Sequence, residues 1–92
     1  MLRRFIIERE VPGIGGLGAE ELCGAAAKSN AALDQLAPKV QWQESFVTAD
    51  RTFCVYLAEN EDVIREHAEI SGFPANRIIE VSQVIDPTTA KG

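Results

Sequence analysis

Two strand-like segments separated by only three residues place the tightest limit on how this chain can fold. Residues 40–48 (VQWQESFVT) and 52–58 (TFCVYLA) are rich in β-branched and aromatic side chains, which favour strands. Only residues 49–51 lie between them. A parallel crossover needs a dozen or more residues, so the two strands must form an antiparallel hairpin.

The segment before the hairpin contains one strand pattern and one helix pattern. Period-two alternation over residues 5–10 (FIIERE) predicts a first strand. Residues 18–37 are rich in Ala, Leu and Glu, which favour a helix, and Pro38 ends it. The side chains expected on the buried stripe of this helix recur at helical spacing: Leu22, Ala26, Ser29, Leu33 and Leu36.

A second helix and a last strand follow the hairpin. Asn60 is a suitable N-cap for the helix, and Gly72 lies where a left-handed C-cap is expected. The inner face of this helix is expected to carry Ile64, Ala68 and Ser71, with Val63 and His67 beside them. Residues 77–85 (RIIEVSQVI) then predict the final strand, which Pro87 closes.

The six elements follow the order strand, helix, strand, strand, helix, strand. This order predicts a ferredoxin-like α+β fold (βαββαβ), in which a four-stranded antiparallel sheet carries two helices on one face. Two right-handed crossovers place the first and third strands at the centre of the sheet. The chain is expected to form a single ferredoxin-like domain over residues 1–92, in which residues 88–92 are a short polar tail.

One face of such a sheet is bare, and alternation assigns side chains to each face. In the third strand, the side chains expected to meet the helices are the apolar ones, Phe53, Val55 and Leu57. Those left for the open face are Thr52, Cys54 and Tyr56. In the first strand, Phe5 and Ile7 are expected to face inward, and Ile6 and Glu8 outward. The last strand is apolar on both sides and is expected to be buried on both.

The open face is expected to be an interface between two copies of the chain. The apolar side chains assigned to it are Ile6, Tyr56, Ile78 and Val84. Monomeric proteins rarely expose a patch of this kind, so a homodimer packed face to face is the simplest way to bury it. In that arrangement Glu8 and Cys54 come close together. A buried carboxylate beside a thiol needs a cation, a water or a metal as its partner.

Charge and composition exclude several classes of protein. The net charge of −5 argues against a nucleic-acid partner, since such proteins need a basic surface that displaces phosphate counterions. No apolar run approaches the ~20 residues that span a bilayer, so no membrane contact is expected. The segment before Glu8 has too few apolar residues for a signal peptide. This predicts a cytoplasmic protein with reduced thiols.

Residues 13–18 (GIGGLG) match the pattern GxGxxG between a strand and a helix, the local context of a dinucleotide-binding loop. The dinucleotide fold needs a parallel sheet and far more chain than this, so a flexible connecting loop is the favoured interpretation, with weak anion docking as the alternative. No nucleophile motif and no Cys–His pair with a base is evident. The sequence therefore favours a protein without catalytic activity.

Two side chains have both a structural and a metal-binding interpretation. His67 is the only histidine, and it either bonds a backbone carbonyl as a structural residue or serves as a metal ligand beside carboxylates such as Glu66. Cys54 is either a small buried hydrophobe or a soft ligand. Alternation and helical spacing place these two side chains on opposite sides of the sheet. Contacts between subunits, or two separate sites, would then be needed for both to bind metal.

Several strings in a fixed order resemble one small bacterial family. They are FIIEREVPG near the start, CVYLA, REHA and GFP in the middle, and EVSQVIDPTTA near the end. The chain resembles the nickel-responsive-protein-like family, formerly a domain of unknown function. The resemblance implies a dimeric ferredoxin-like fold and, for some members, nickel binding. On matching positions it implies His67 and Cys54 as ligands, with Glu8 as the added carboxylate.

The leading hypothesis is a small cytoplasmic homodimer that binds a divalent transition metal, nickel, without catalysis. The alternative is a dimeric α+β barrel enzyme or carrier that holds a small organic ligand between the sheet and the helices. Tyr56, Trp42 and His67 are the candidate pocket residues for this alternative. An apolar cavity with convergent polar groups would favour it.

Overall fold

The structure, a computed structural model, describes residues 1–91 and consists of four strands and two long helices. In chain order these are β1 (Arg3–Glu10), α1 (Ala19–Leu36), β2 (Val40–Val47), β3 (Arg51–Ala58), α2 (Glu61–Ser71) and β4 (Arg77–Glu80). Short 3₁₀ helices occupy Ile14–Gly16 and Pro87–Lys91. Most of the tail predicted at residues 88–92 thus belongs to the second 3₁₀ helix, and its last residue, Gly92, lies outside the described residues.

The four strands form one antiparallel sheet in the order β2-β3-β1-β4. This arrangement confirms the ferredoxin-like βαββαβ topology and the central positions of the first and third strands. The hairpin of β2 and β3 is regular except for an irregularity between Trp42 and Glu44, where Gln43 is left without a partner in the register. A bulge of this kind adds local twist at the edge of a sheet.

The ends of α2 follow the sequence signals. The Asn60 side chain accepts a hydrogen bond from the Val63 amide at 3.0 Å, which caps the first turn. Glu61 and Asp62 in that turn favour the positive end of the helix dipole. Gly72 ends the helix at a φ of 80°, in the left-handed region that glycine adopts without a steric cost. The predicted bounds of this helix are confirmed.

The helix-covered face of the sheet holds the core. Phe5 and Ile7 of β1 lie on it, as predicted, and both are buried. Directly paired residues on neighbouring strands share a face, and Phe5 pairs with Tyr56 while Ile7 pairs with Cys54. The side chains of β3 that face the helices are therefore Thr52, Cys54, Tyr56 and Ala58, all buried.

The face assignment of β3 from the sequence was therefore wrong. Phe53, Val55 and Leu57 lie on the open face and are half-buried. Both sides of β3 are largely apolar, so hydrophobicity alone does not choose between them. The choice follows from β1, whose inward residues dictate by pairing which residues of β3 also point inward.

The prediction for the last strand also needs correction. Regular pairing of β4 ends at Glu80 rather than at residue 85, although the Val81 amide still bonds to the Arg4 carbonyl at 2.8 Å. β4 is an edge strand, and the open face of the sheet has no covering layer among the described residues, so β4 is not buried on both sides. Ile78 packs against the core, whereas Ile79 is exposed on the open face.

These corrections change which side chains lie on the open face, and they separate Glu8 from Cys54. Tyr56 and Ile78 belong to the helix-covered face, so only Ile6 and Val84 remain from the predicted apolar patch. Glu8 stays on the open face and Cys54 does not, so the two side chains point to opposite sides of the sheet.

Candidate ligand-binding chamber

A cavity of about 240 Å³ lies between α1 and the sheet, and we call it the α1 chamber. Its wall is mostly apolar, and a few polar side chains interrupt it. The residues that line it are Arg9, Val11, Ile14, Leu22, Ala25, Ala26, Ser29, Trp42, Ser45, Val47, Thr52, Cys54, Tyr56 and Phe73. They come from β1, β2, β3, α1, the connection between β1 and α1, and the loop between α2 and β4.

Small side chains keep this space open. On α1 the wall residues include Ala25 and Ala26, and on β3 they include Thr52 and Cys54. Two facing rows of small residues cannot fill the gap between a helix and a sheet. On β2 the large ring of Trp42 forms part of the wall. Its Nε1 donates a hydrogen bond to Ser45 Oγ at 2.9 Å. The chamber therefore follows from the residue sizes along these elements.

Arg9 brings a permanent positive charge into the wall of the chamber. It lies on the helix-covered face of β1, with 4% of its surface exposed. Its Nη1 donates to the Pro74 carbonyl at 2.5 Å, and its guanidinium lies 5.9 Å from the centre of the Tyr56 ring. Its Nη2 is buried and has no hydrogen-bond partner in the protein. Within residues 1–91, Arg9 forms no ion pair with an acidic side chain.

A row of three polar side chains extends from the chamber into the core. The Tyr56 hydroxyl lies 3.5 Å from Ser29 Oγ, and Ser29 Oγ lies 3.2 Å from Nε2 of His67. The same Nε2 is 3.3 Å from the Ser29 carbonyl, which can only accept, so Nε2 carries the proton. Nδ1 of His67 is then an acceptor, and it is buried without a hydrogen-bond partner in the protein.

Burial sets the protonation of both aromatic residues. Loss of solvation raises the pKa of the Tyr56 hydroxyl, while the hydrogen bond from Ser29 and the charge of Arg9 oppose this shift. Tyr56 is therefore protonated at neutral pH and can donate. Burial lowers the pKa of His67, and the nearby charge of Arg9 lowers it further, against the opposing effect of the Ser29 carbonyl. His67 is therefore neutral at pH 7.

The structure brings two of the three predicted metal ligands to the same side of the sheet. Cys54 and His67 are both buried beneath the helices, and each neighbours Tyr56. Their predicted separation onto opposite sides was therefore wrong, because the faces of β3 are reversed. Cys54 donates a weak hydrogen bond to Thr52 Oγ1 at 3.6 Å.

The third predicted ligand, Glu8, lies elsewhere. Its carboxylate is on the open face, where it pairs with Arg51 and, at 3.5 Å, with Arg77. In the part of the chain that the structure describes, no group of three or more His, Cys, Asp or Glu side chains is placed to hold a metal ion. Metal binding by Glu8, Cys54 and His67 remains a prediction, and the geometry does not unite the three.

The glycine-rich segment docks against the hairpin of β2 and β3. The Gly15 amide donates to the Ala49 carbonyl at 2.9 Å, and the Gly13 amide donates to the Asp50 carboxylate at 2.8 Å. A Cβ on Gly15 would lie 2.5 Å from the Thr48 carbonyl oxygen, so only glycine fits there. These amides are used within the protein and are not free to cradle a pyrophosphate, which supports the interpretation of this segment as a connecting loop.

Of the pocket residues expected from the sequence, Trp42 and Tyr56 line the α1 chamber, and His67 lies behind them, next to Ser29. Arg9 and Ser29 were not among the functional residues predicted from the sequence. A signal for Arg9 was present, since it shares the inward alternation of Phe5 and Ile7. A charged residue in that register is a departure from the apolar pattern.

Comparisons with known proteins agree with this fold. A family model described as nickel responsive protein SCO4226-like matches residues 5–81. The crystal structure of SCO4226 from Streptomyces coelicolor A3(2) superimposes with a TM-score of 0.73 at 16% sequence identity, over 89% of this chain and 99% of that one. No curated protein matches the sequence.

Among residues 1–91, no helix combines the length and the apolar character needed to cross a membrane. The family match begins at the third residue of β1 and extends to the residue after β4, so it includes most of β1, the other three strands and both long helices. The chain belongs to the SCO4226-like nickel responsive protein family.

Proposed function

We propose that this chain binds a small organic molecule in the α1 chamber. The observation that carries this proposal is the cavity of about 240 Å³, which is partly open to solvent and has a mostly apolar wall that includes a few polar residues. Small-molecule sites in proteins combine these properties. The volume is slightly below the range of roughly 300–1,000 Å³ for drug-sized ligands, which points to a compact molecule.

The wall offers a ligand both apolar contact area and polar groups that can orient it. Leu22, Ala26 and Phe73 offer apolar surface, whereas Arg9 and Tyr56 offer hydrogen-bond donors. An unfilled apolar cavity costs stability, since its lining atoms lose their dispersion contacts. A bound molecule restores these contacts, so ligand binding is expected to stabilise the fold.

The test uses four compounds in two matched pairs: phenylacetate with phenylacetamide, and 4-methylpentanoate with 4-methylpentanamide. Binding is followed by the fluorescence of Trp42, the only tryptophan of the chain, and by shifts in amide NMR spectra. We expect saturable changes that cluster around the chamber for at least one compound. The Ala26→Phe variant fills the chamber and should abolish them.

The matched control is Ala27→Phe, because Ala27 is the next residue on α1, is exposed and does not line the chamber. This variant should bind as the unmodified chain does. The proposal fails if none of the four compounds binds at millimolar concentrations. It also fails if Ala26→Phe binds them unchanged while its amide spectrum shows a folded chain.

We also propose that the open face of the sheet packs against a second copy of the chain. A shallow groove on this face is lined by the apolar side chains of Ile6, Val55, Val81, Val84 and Ile85, together with Arg4, Gln43, Glu44 and Gln83. Val84 and Ile85 are 64% and 74% exposed, a high fraction for such residues.

Charge complementarity favours a second copy as the occupant of this groove. Arg4 and Glu44 both line it, and neither forms an ion pair within residues 1–91. In a two-fold interface, residue i of one chain contacts residue j of the other, and j contacts i in return. A face that carries one free cation and one free anion can therefore complement itself.

Light scattering tests this dimer. We expect about twice the 10.0 kDa of one chain for the unmodified protein and one chain mass for Val84→Glu. Ile70→Glu, a change at an exposed apolar residue of α2 outside the groove, is the control and should stay dimeric. A single-chain mass for the unmodified protein would overturn the proposed dimer.

Nickel binding is the second candidate function, and the description of the matching family favours it. The side chains of one chain do not fit a site built from all three predicted ligands, since Glu8 lies on the other face. The local observation in favour of nickel is His67 Nδ1, a buried nitrogen without a hydrogen-bond partner on a neutral imidazole. Such a nitrogen is a typical donor for transition metals.

Equilibrium dialysis against Ni²⁺ alone tests this candidate. Binding should be lost in His67→Gln and in Cys54→Ser, and it should persist in Glu8→Gln and in Cys23→Ser, which alters the exposed cysteine. Unchanged nickel stoichiometry in both His67→Gln and Cys54→Ser would end the assignment of these ligands.

A further inference from the structure

Arg9 defines what kind of molecule the α1 chamber takes, and this inference rests on the proposed function. We propose that the ligand is a small organic carboxylate, with its anionic group on Arg9 and its apolar body along the wall made by α1. The guanidinium of Arg9 is buried, has no acidic partner within residues 1–91 and has the Tyr56 hydroxyl beside it as a further donor.

The first step is the charge of Arg9. A guanidinium stays protonated under all conditions in which proteins fold, so burial cannot neutralise it. Burial of an unpaired charge costs several kcal/mol, and buried arginines are normally paired with carboxylates or phosphates for this reason. Arg9 is 4% exposed, and its Nη2 has no hydrogen-bond partner in the protein. The missing partner of this side chain is an anion.

The second step concerns the nearest acidic residues. Glu8 and Glu10 flank Arg9 in the sequence, but alternation along β1 turns both to the opposite face. Both carboxylates face Arg51 there. The residues that line the chamber include no Asp and no Glu. No carboxylate of the described chain can therefore neutralise Arg9 from within the chamber.

The third step is that existing contacts of Arg9 offset only part of the cost. The Pro74 carbonyl satisfies Nη1, and the Tyr56 ring at 5.9 Å offers a cation–π contact worth ~0.5–2 kcal/mol. A carboxylate accepts two parallel charge-assisted hydrogen bonds from a guanidinium, whereas a neutral amide has only one carbonyl oxygen to accept them. The Tyr56 hydroxyl lies in the same wall as a further donor.

The apolar remainder of the wall favours an organic carboxylate over inorganic phosphate. Leu22, Ala25, Ala26 and Phe73 make the rest of the wall apolar, so inorganic phosphate, which is strongly hydrated, would lose solvation on most sides without compensation. A molecule with one carboxylate and a hydrocarbon body matches both parts of the wall. The net charge of −5 gives no long-range attraction for anions, so the selectivity must be local to Arg9.

The experiment compares each carboxylate with its neutral amide of nearly identical shape. On the unmodified full chain, we expect phenylacetate or 4-methylpentanoate to bind at least about tenfold more tightly than its amide. Arg9→Met should remove this preference, so that acid and amide bind alike, whereas Arg9→Lys should retain part of it. Arg65→Met changes an exposed arginine of α2 and should leave the preference intact.

The outcomes distinguish the inference from the function on which it rests. Equal binding of acids and amides to the unmodified chain would overturn the anionic ligand and leave the chamber as a site for neutral molecules. A preference for acids that persists in Arg9→Met would overturn the role of Arg9. Binding by none of the four compounds would overturn both the inference and the proposed function.

Discussion

The ring of Tyr56 meets the ring of His67 edge-on beneath the helices, with centroids 5.3 Å apart and planes at 67°. This contact joins the wall of the α1 chamber to the core, because Tyr56 lines the chamber and His67 is fully buried behind it. Ser29 touches both, through its hydroxyl and its carbonyl. His67 is therefore one side chain away from the chamber.

The first prediction is a loss of stability below about pH 6.5, the ordinary pKa of histidine. Burial lowers the pKa of His67 in the folded chain, so the folded state favours neutral imidazole and the unfolded state binds the proton more readily. The stabilisation is complete above the unfolded pKa and is lost as the pH falls toward the folded pKa. Stability should therefore fall with pH in that interval, with a slope below the limit of ~1.4 kcal/mol per pH unit that one full proton would give.

Urea unfolding at a series of pH values measures this slope. His67 is the only histidine, so His67→Gln should flatten the profile near pH 6 while lowering the stability at pH 7.5. Equal slopes in the variant and the unmodified chain would show that another group titrates in this range.

The second prediction concerns the loop that closes one side of the α1 chamber. Gly15→Ala should destabilise the chain by ~1–3 kcal/mol, since a Cβ there would overlap the Thr48 carbonyl at 2.5 Å. Gly16→Ala is the matched control, because a Cβ at Gly16 meets nothing within 4 Å. It should be neutral or slightly stabilising. Denaturant unfolding of both variants checks this difference, and equal stabilities would contradict the docking of the loop on the hairpin.

The third prediction tests the two-fold arrangement of the open face. Arg4→Glu should weaken the dimer, since it places a negative charge opposite Glu44 of the partner subunit in the proposed interface. The double change Arg4→Glu with Glu44→Arg should restore it. Sedimentation at low salt measures the dimer dissociation constants of Arg4→Glu and of the double variant. A double variant that is no tighter than Arg4→Glu alone would contradict this pairing.

The sequence predicted the topology of this fold but not the faces of its third strand. The strand and helix periods, the short hairpin loop, Asn60 and Gly72 are local signals, and each gave the correct element. The orientation of β3 depends on its pairing with β1, which is not a local property. With Phe53, Val55 and Leu57 on one side, the larger apolar side of β3 faces away from the helices.

The orientation of β3 also decides which of the predicted site residues lie on the same side of the sheet. Reversal of the β3 faces separated Glu8 from Cys54 and placed Cys54 on the same side as His67. It also brought Tyr56 under α1, where the alternative hypothesis needed it. The empty space itself could not be predicted, since it depends on how closely α1 approaches the sheet. Ala25 and Ala26 are compatible with the buried side of a helix whether or not a cavity lies beside them, so their presence does not predict one.

The last prediction separates a ligand-binding role of Arg9 from a structural one. If Arg9 serves to bind an anion, its unpaired buried charge destabilises the ligand-free chain. Arg9→Met should then raise the free energy of unfolding of this chain by ~1–2 kcal/mol. Met fits an apolar wall, and the Pro74 carbonyl that loses its donor belongs to an exposed residue.

Urea unfolding of the ligand-free chain measures the change, with Arg65→Met as the reference. Arg65 pairs with Glu61 one turn away on the surface of α2, so its loss should lower the stability by only ~0.3–0.5 kcal/mol. Arg9→Met and Arg65→Met should thus change stability in opposite directions. A marked loss of stability in Arg9→Met would mean that the hydrogen bond to Pro74 and the contact with Tyr56 already compensate the charge. Arg9 would then have a structural role and not a role in binding an anion.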